Sequence, residues 1–371
     1  MLHRRAEMRR RFMPGAQGGN MATMSGTAES GEFIARTEPF RRELLAHCYR
    51  MLGSIDEAED VVQETYVRAW RGYDRFEGRS TVRAWLYRIA TNASLTALEY
   101  VGRRALPSGL GAPSDDPEAG TWPPDPQIAW LQPVPDALVA PESDDPAVIV
   151  ASRQQLRLAL VASLQYLPPR QRAVLLLREV MAFPAAEVAE ILDMSVVAVK
   201  SMLQRARVRL EQVTPEAVDE PSEPEAQALL ERYITAFEAS DPGALRRVIR
   251  DDIALEMTPS RTWFKGLITC MPVFVRHALR TPGEWRLIPI RVNGQLGTAS
   301  YERDPSGVHR PFAIVALTIS AGGIAGITLF CEPALFPRFG MPARLEPGDP
   351  PPGPRLASSR TVLPAPDELQ A

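Results

Sequence analysis

The chain has 371 residues, of which 45% are hydrophobic and 23% charged, and a formal net charge of −3. That length suits two or three domains at ~100–200 residues each, and the composition is that of ordinary globular protein. It excludes a uniformly basic nucleic-acid binder, so what matters is where the charge lies.

The first twenty-nine residues carry Arg4, Arg5, Arg9, Arg10 and Arg11 with no apolar signal core behind them, and read as a basic tail. Met21 and Met24 are alternative starts. No run of ~18 apolar residues offers a membrane span. Cys48, Cys270 and Cys331 are far apart and lack CxxC spacing. Neither a metal centre nor a disulfide framework is expected, nor any cofactor, and a reducing cytoplasm fits.

Residues 30–104 have helical periodicity and many arginines. Ala58, Val61, Val62, Thr65 and Ala69 recur as one apolar face. Asp60, Gln63, Glu64 and Arg68 form a polar row, which on its own is equally a solvated bundle face. The next helix is expected to start near Ser80. Its Trp85, Leu86, Ile89 and Ala93 can face a core, while Arg83, Tyr87, Arg88 and Asn92 can face outward. Rings beside arginines suit single-stranded nucleic acid, where base–aromatic stacking is worth ~1–3 kcal/mol per base. An amphipathic helix whose arginines cover its own rings accounts for the pattern as well.

Residues 105–146 read as an acidic, proline-rich linker without Lys or Arg. Such a composition cannot bury a core alone and predicts a disordered-type connection. Residues 147–214 return to helix. Pro168-Pro169 opens an apolar helix, and Ala185 to Leu192 makes a short one. Asp193-Met194-Ser195 turns, and Val199, Leu203, Ala206 and Leu210 mark the buried side of a longer helix. Lys200, Gln204 and Arg207 line its opposite side, flanked by Arg205 and Arg209. Short helix, tight turn and longer basic helix predict a helix-turn-helix. A plain helical hairpin with a basic face is the simpler alternative.

Residues 222–340 change pattern. Two helices meet at Asp241-Pro242-Gly243, a third spans Leu267 to Leu279, and strands are joined by Asn-Gly and Gly-Gly turns. Helices on a curved antiparallel sheet would make a cone with a pocket. His277, Tyr301, Asp252 and Glu332 are the titratable candidates there, in no spacing that forces catalysis. Trp263 and Phe264 are either surface anchors or buried core rings. Residues 341–371 read as a proline-rich tail.

The stretches "MLGSIDEAEDVVQETYVRAWRGYDRFEGRSTVRAWLYRIATNASLTAL" and "LPPRQRAVLLLREVMAFPAAEVAEILDMSVVAVKSMLQRARVRL" resemble, in order, regions 2 and 4 of extracytoplasmic-function (ECF, group IV) sigma factors of the sigma-70 family. The third block resembles the SnoaL-like, NTF2-like extension carried by some actinobacterial members, the sigma-G type above all. The resemblance implies two all-α domains followed by an α+β domain. It also implies that Asp60, Gln63 and Glu64 meet the β′ subunit of core RNA polymerase, whose β subunit is a partner too. Arg83, Trp85, Tyr87, Arg88 and Asn92 would hold the opened minus-ten strand of promoter DNA. Ser195, Lys200, Ser201, Gln204, Arg205 and Arg207 would read the minus-thirty-five element. Trp263, Phe264 and His277 would belong to a regulatory surface or pocket, open to a small ligand or an anti-sigma protein. The acidic linker would lie along the polymerase's basic channel. Met202 stands where many members have a basic residue, and the linker is longer than most. The rival readings are a bifunctional protein with a cyclase or isomerase domain, and an ordinary helix-turn-helix activator.

Overall fold

A computed structural model describes residues 26–119, 125, 127–141, 145–214, 219–348, 352–354 and 356. The chain divides into two units, Met1–Pro39 and Phe40–Ala371. In the first, Gly26–Thr37 is a helix (α1), along which Arg36 pairs with Glu32 at 3.2 Å. The remainder of the expected basic tail, residues 1–25, lies outside the described residues.

The second unit opens with three helices, α2 (Arg41–Leu52), α3 (Ile55–Gly72) and α4 (Val82–Val101). Local chemistry sets their ends. Gly53 adopts φ 69° and closes α2, and a Cβ there would come within 2.7 Å of Leu131. Ser54 caps α3 by accepting from Glu57 N, and Thr81 caps α4 by accepting from Ala84 N. Each such cap is worth ~1 kcal/mol. The cap of α4 therefore falls one residue after the expected Ser80. The apolar face of α3 buries Ala58, Val61, Val62, Thr65 and Ala69, as the periodicity predicts.

The linker departs from expectation. Its described part is built into the protein and is not a disordered-type connection. Leu131, Val134, Leu138 and Val139 are buried, and Asp136–Val139 forms a short helix (α5). Its carboxylates Glu118 and Asp125 pair with Arg276 and Arg261 of the C-terminal block. Composition alone missed this because the segment borrows its apolar partners from elsewhere in the chain.

Helices α6 (Pro146–Leu156) and α7 (Leu158–Leu164) follow. Then come α8 (Pro169–Leu175), which runs on into a π-helical turn over Leu176–Val180, α9 (Ala185–Ile191) and α10 (Val196–Val213). Ser195 caps α10 by accepting from Ala198 N at 3.2 Å. Val199, Leu203 and Ala206 are buried as expected, whereas Leu210 is only half-buried.

The last block begins with α11 (Glu223–Glu238), opened by a Ser222–Glu225 capping box, and α12 (Pro242–Val248). Strands β1 (Ile249–Thr258) and β2 (Trp263–Lys265) precede α13 (Leu267–His277). Strands β3 (Trp285–Val292), β4 (Gln295–Arg303), β5 (His309–Ser320) and β6 (Gly323–Phe330) complete one six-stranded sheet. Its order is β2-β1-β6-β5-β4-β3. The sheet is mixed, not antiparallel throughout as expected: β6 returns beside β1 in the same direction. Alternate residues such as Leu287, Leu296, Val315, Leu317 and Ile327 form one core with Leu230, Phe237 and Phe274 of the helices. After β6 a 3-10 segment, Pro333–Phe339, buries Leu335, Phe336 and Phe339. The expected tail is partly seated too. Tyr301 donates to Pro342 O at 3.0 Å, and Leu345 pairs with His309.

Candidate polymerase and nucleic-acid interfaces

The row on α3 stands largely open. Asp60 and Gln63 are exposed, and Glu64 is half-buried with an ion pair to Arg68 at 2.7 Å. The two acids one turn earlier behave differently. Arg338, on the 3-10 segment after the sheet, pairs with Asp56 at 2.6 Å and also with Glu59. Gln132 of the linker donates to Asp56 Oδ2 at 3.1 Å, and Ser54 donates to Gln132 Oε1 at 2.6 Å. Sequence reasoning missed Arg338, because a lone arginine in a proline-rich stretch announces nothing locally.

On α4 the expected outward set splits. Arg88 and Asn92 are exposed. Trp85 is half-buried and stacks on Phe76 with centroids 4.7 Å apart, so it does not join a core. Tyr87, expected to face outward, is fully buried. It packs edge-on against Phe183 at 5.1 Å and donates its hydroxyl to Met181 Sδ. Arg83 lies over Phe183 at 4.5 Å, donates to Glu43 at 2.9 Å and reaches Met181 O at 3.3 Å. Met181 and Phe183 belong to the loop between α8 and α9. The helix-turn-helix block thus sits on the face where strand capture was expected. Burial raises the Tyr87 phenol above its ordinary range. Behind it His47 is pushed down to about 3, by burial first and then by Arg50 and Arg83. Arg172 ties the two blocks further by donating to Met51 O and to Gln165 Oε1, the latter at 2.7 Å.

The basic face of α10 is uncovered. Ser195, Lys200, Ser201, Gln204, Arg205 and Arg207 are all exposed. Arg207 forms an ion pair with Glu179 at 2.6 Å. Val197 stands 76% exposed at the start of the helix, beside the positions that would reach base edges.

In the C-terminal block the expected set does not converge. Phe264 lies in the domain core, 2% exposed, so it is a packing ring and not a surface anchor. Trp263 is half-buried and donates from Nε1 to Gly111 O of the linker at 2.9 Å. His277 is exposed at the end of α13. Tyr301 is held under Phe336, Asp252 pairs with Arg250 at 2.7 Å, and Glu332 is exposed near Gln132. Burial raises the thiols of Cys48, Cys270 and Cys331 to about 12, so none is an activated nucleophile.

The β3–β4 hairpin tip, which the sequence marks only as an Asn-Gly turn, penetrates furthest. Asn293 and Gly294 adopt φ 53° and 70°, the left-handed pair a two-residue hairpin turn demands. Asn293 is fully buried. It donates from Nδ2 to Tyr49 Oη at 2.7 Å and to Leu156 O at 3.0 Å, and accepts from Val134 N at 3.0 Å. Gly294 N donates to Asp136 Oδ1 at 2.7 Å. A Cβ on Gly294 would lie 2.2 Å from Arg153 O. One turn therefore joins α2, the linker and α6. Burial raises the Asp136 carboxyl to about 6, against the lowering effect of the Gly294 bond and of Arg291.

Two helical modules of this kind, in this order, are matched by family descriptions. Residues 37–104 match Sigma-70 region 2, and residues 157–210 match Sigma-70, region 4. The ECF RNA polymerase sigma factor SigG of Mycobacterium tuberculosis H37Rv is 48% identical over 85% of this chain and 85% of its own. The chain belongs to the ECF sigma factors. SigJ of the same organism is 27% identical over 59% of this chain and 63% of its own. The crystal structure of M. tuberculosis SigJ superposes with a TM-score of 0.53 at 24% identity. It covers 85% of this chain and 99% of that one, which is a likeness of fold. The ECF sigma factor directs RNA polymerase to promoters, and its 48%-identical relative is a sigma factor and not an enzyme. Among the described residues no single helix is long and apolar enough to cross a membrane.

Proposed function

We propose that this ECF sigma factor docks on the polymerase β′ subunit through Asp60, Gln63 and Glu64. It reads the minus-thirty-five duplex with the exposed face of α10, and captures the minus-ten strand with Arg83, Trp85, Tyr87, Arg88 and Asn92. On this reading the arrangement described above is a closed form. The observation that carries it is the cover on Tyr87 and Arg83. Met181 and Phe183 occupy the surface that unpaired bases would use, so the region 4 block must leave α4 before a strand can enter. The C-terminal domain supports the closed form, since its hairpin tip bonds to α2, the linker and α6 together. Its role is regulation through contacts, in cis and without chemistry.

The test compares the full chain with one ending at Val213, using core polymerase on the same promoter fragments. Transcription output is expected to differ several-fold, and permanganate reactivity in the minus-ten region should follow it. Equal output and equal footprints would overturn the regulatory role. Loss of promoter selectivity on Lys200→Ala, with core binding intact, would support the duplex assignment.

A further inference from the structure

We infer that Arg338 is an intramolecular competitor of the polymerase: it occupies the acidic start of α3 and must be displaced before core enzyme can seat on that helix. The inference rests on the proposed use of Asp60, Gln63 and Glu64 as the polymerase-facing row.

Asp56, Glu57, Glu59, Asp60 and Glu64 bring five carboxylates to α3 within about two and a half turns. Glu57 is turned to the linker side, where it pairs with Arg104. The others share a surface with the proposed row. Arg338 holds two of them at once, Asp56 at 2.6 Å and Glu59 beside it. The guanidinium is half-buried, and Glu59 and Asp56 together hold its charged form more firmly than usual against the cost of burial. A planar fork bridging two carboxylates is the arrangement a basic protein surface would itself make on this helix. Polymerase bringing cations to Asp60 would find the adjoining turn already neutralised and physically covered.

The segment bearing Arg338 is well anchored. Leu335, Phe336 and Phe339 are buried, and Phe336 meets Tyr301 at 5.0 Å. Arg338 can thus leave α3 only if its domain shifts or the side chain swings out, and the domain is also held by the Asn293 tip. Core binding and C-terminal docking become coupled through one patch of charge. Such a coupling is reciprocal: whatever loosens the domain raises polymerase affinity, and polymerase loosens the domain.

The experiment measures affinity of the full-length chain for core polymerase by fluorescence anisotropy at low and moderate salt. Arg338→Glu is expected to bind at least ~5-fold more tightly than wild type, the lower end of typical coupling. Arg338→Ala should gain less, and Arg338→Lys should stay close to wild type. The gap between wild type and Arg338→Glu should narrow as salt rises, because the clamp is ionic. A purely structural role would instead weaken binding in every variant, with no salt dependence. Unchanged or weaker binding by folded Arg338→Glu and Arg338→Ala would overturn the competition. Asp60→Arg with Glu64→Arg is the companion variant. If it leaves core affinity unchanged, the placement of polymerase on α3 has failed; if it lowers affinity while the Arg338 variants do nothing, only the competition has failed.

Discussion

Helices α4 and α10 carry the same kind of surface and meet opposite fates. Each sets arginines or lysines beside groups that can touch bases, and each is capped by a hydroxyl at its start. Yet α10 presents Lys200, Gln204 and Arg205 to solvent, while α4 has Tyr87 sealed under Phe183 and Arg83 locked to Glu43. Their chemistry explains the asymmetry. Duplex DNA is read by long polar side chains that lose little by waiting in water. A strand-capturing ring is an apolar surface, and it gains from burial whenever a partner in the same chain is available. Met181 and Phe183 supply that partner. On the proposed reading, the covered helix is the one whose function needs a ring, and gating would fall on strand capture, not on duplex reading.

The comparison breaks most directly at the hairpin tip. Asn293→Ala removes three side-chain hydrogen bonds from a fully buried junction and leaves Tyr49 Oη, Leu156 O and Val134 N to find new partners. Each buried group left unmade costs ~1–3 kcal/mol, and alanine in the left-handed region adds ~1 kcal/mol. A loss of at least ~4 kcal/mol in docking of the C-terminal domain is expected. Amide hydrogen exchange should report it as faster exchange in α4 and unchanged exchange in the α11–α13 core. If α4 keeps its protection, the covering of Tyr87 owes nothing to the C-terminal domain.

Much of this architecture was legible beforehand, and the failures share a cause. Helices α3 and α4 of region 2, the helix-turn-helix and the Asn-Gly turn follow from periodicity, caps and turn residues that act within a few positions. What escaped depends on distant partners. Tyr87 meets Met181 across 94 positions, Arg338 meets Glu59 across 279, and Asn293 meets Tyr49 across 244. The helical pattern of α4 allows Tyr87 to point outward, whereas the ring lies between His47 of its own module and Phe183 of the next, 5.1 Å from each. Nothing within α4 says that a second module waits there. The linker failed for the same reason, since its Leu131 and Val134 are ordinary core residues whose core lies elsewhere. The parallel β1–β6 pair was invisible because strand order is a property of the whole sheet.

Asp136 tests the same junction through pH. Burial raises its carboxyl from 3.8 to about 6, so the ionised form costs more folded than unfolded. That cost is absent below about pH 4, grows as pH rises towards 6, and is complete above it. At ~1.36 kcal/mol per unit it reaches about 2–3 kcal/mol. Asp136→Asn keeps an acceptor for Gly294 N without the charge. It is expected to stabilise the chain by that amount at pH 7.5 and by little at pH 4, as read from urea unfolding midpoints. A difference independent of pH would mean that Asp136 is not buried in the folded chain.

The open helix makes a contrasting forecast. Lys200→Ala and Arg205→Ala remove exposed side chains, so stability should move by no more than ~0.5 kcal/mol. Binding of holoenzyme to the upstream duplex element should weaken by ~1–3 kcal/mol for each contact that reaches a base edge. Competition binding against a scrambled element separates the two kinds of contact. A lost base contact erodes the preference, whereas a lost phosphate contact weakens both DNAs alike.

The smallest expected effect separates the ring of Tyr87 from its hydroxyl. Tyr87→Phe keeps the apolar surface that Phe183 covers and removes only a bond to a sulfur, a weak acceptor. Stability of the closed form should therefore change by less than ~1 kcal/mol. Stacking on a base also needs the ring and not the oxygen, so promoter opening by Tyr87→Phe should match wild type. Tyr87→Ala removes the surface that both partners use. It should loosen the closed form and impair opening together, with permanganate reactivity falling although α4 has become easier to reach. That pairing is peculiar to a ring shared by two occupants. A core ring with no role in DNA would lose stability on Tyr87→Ala and still open promoters once folded, and α4 would then be a scaffold helix, its likeness to α10 confined to charge.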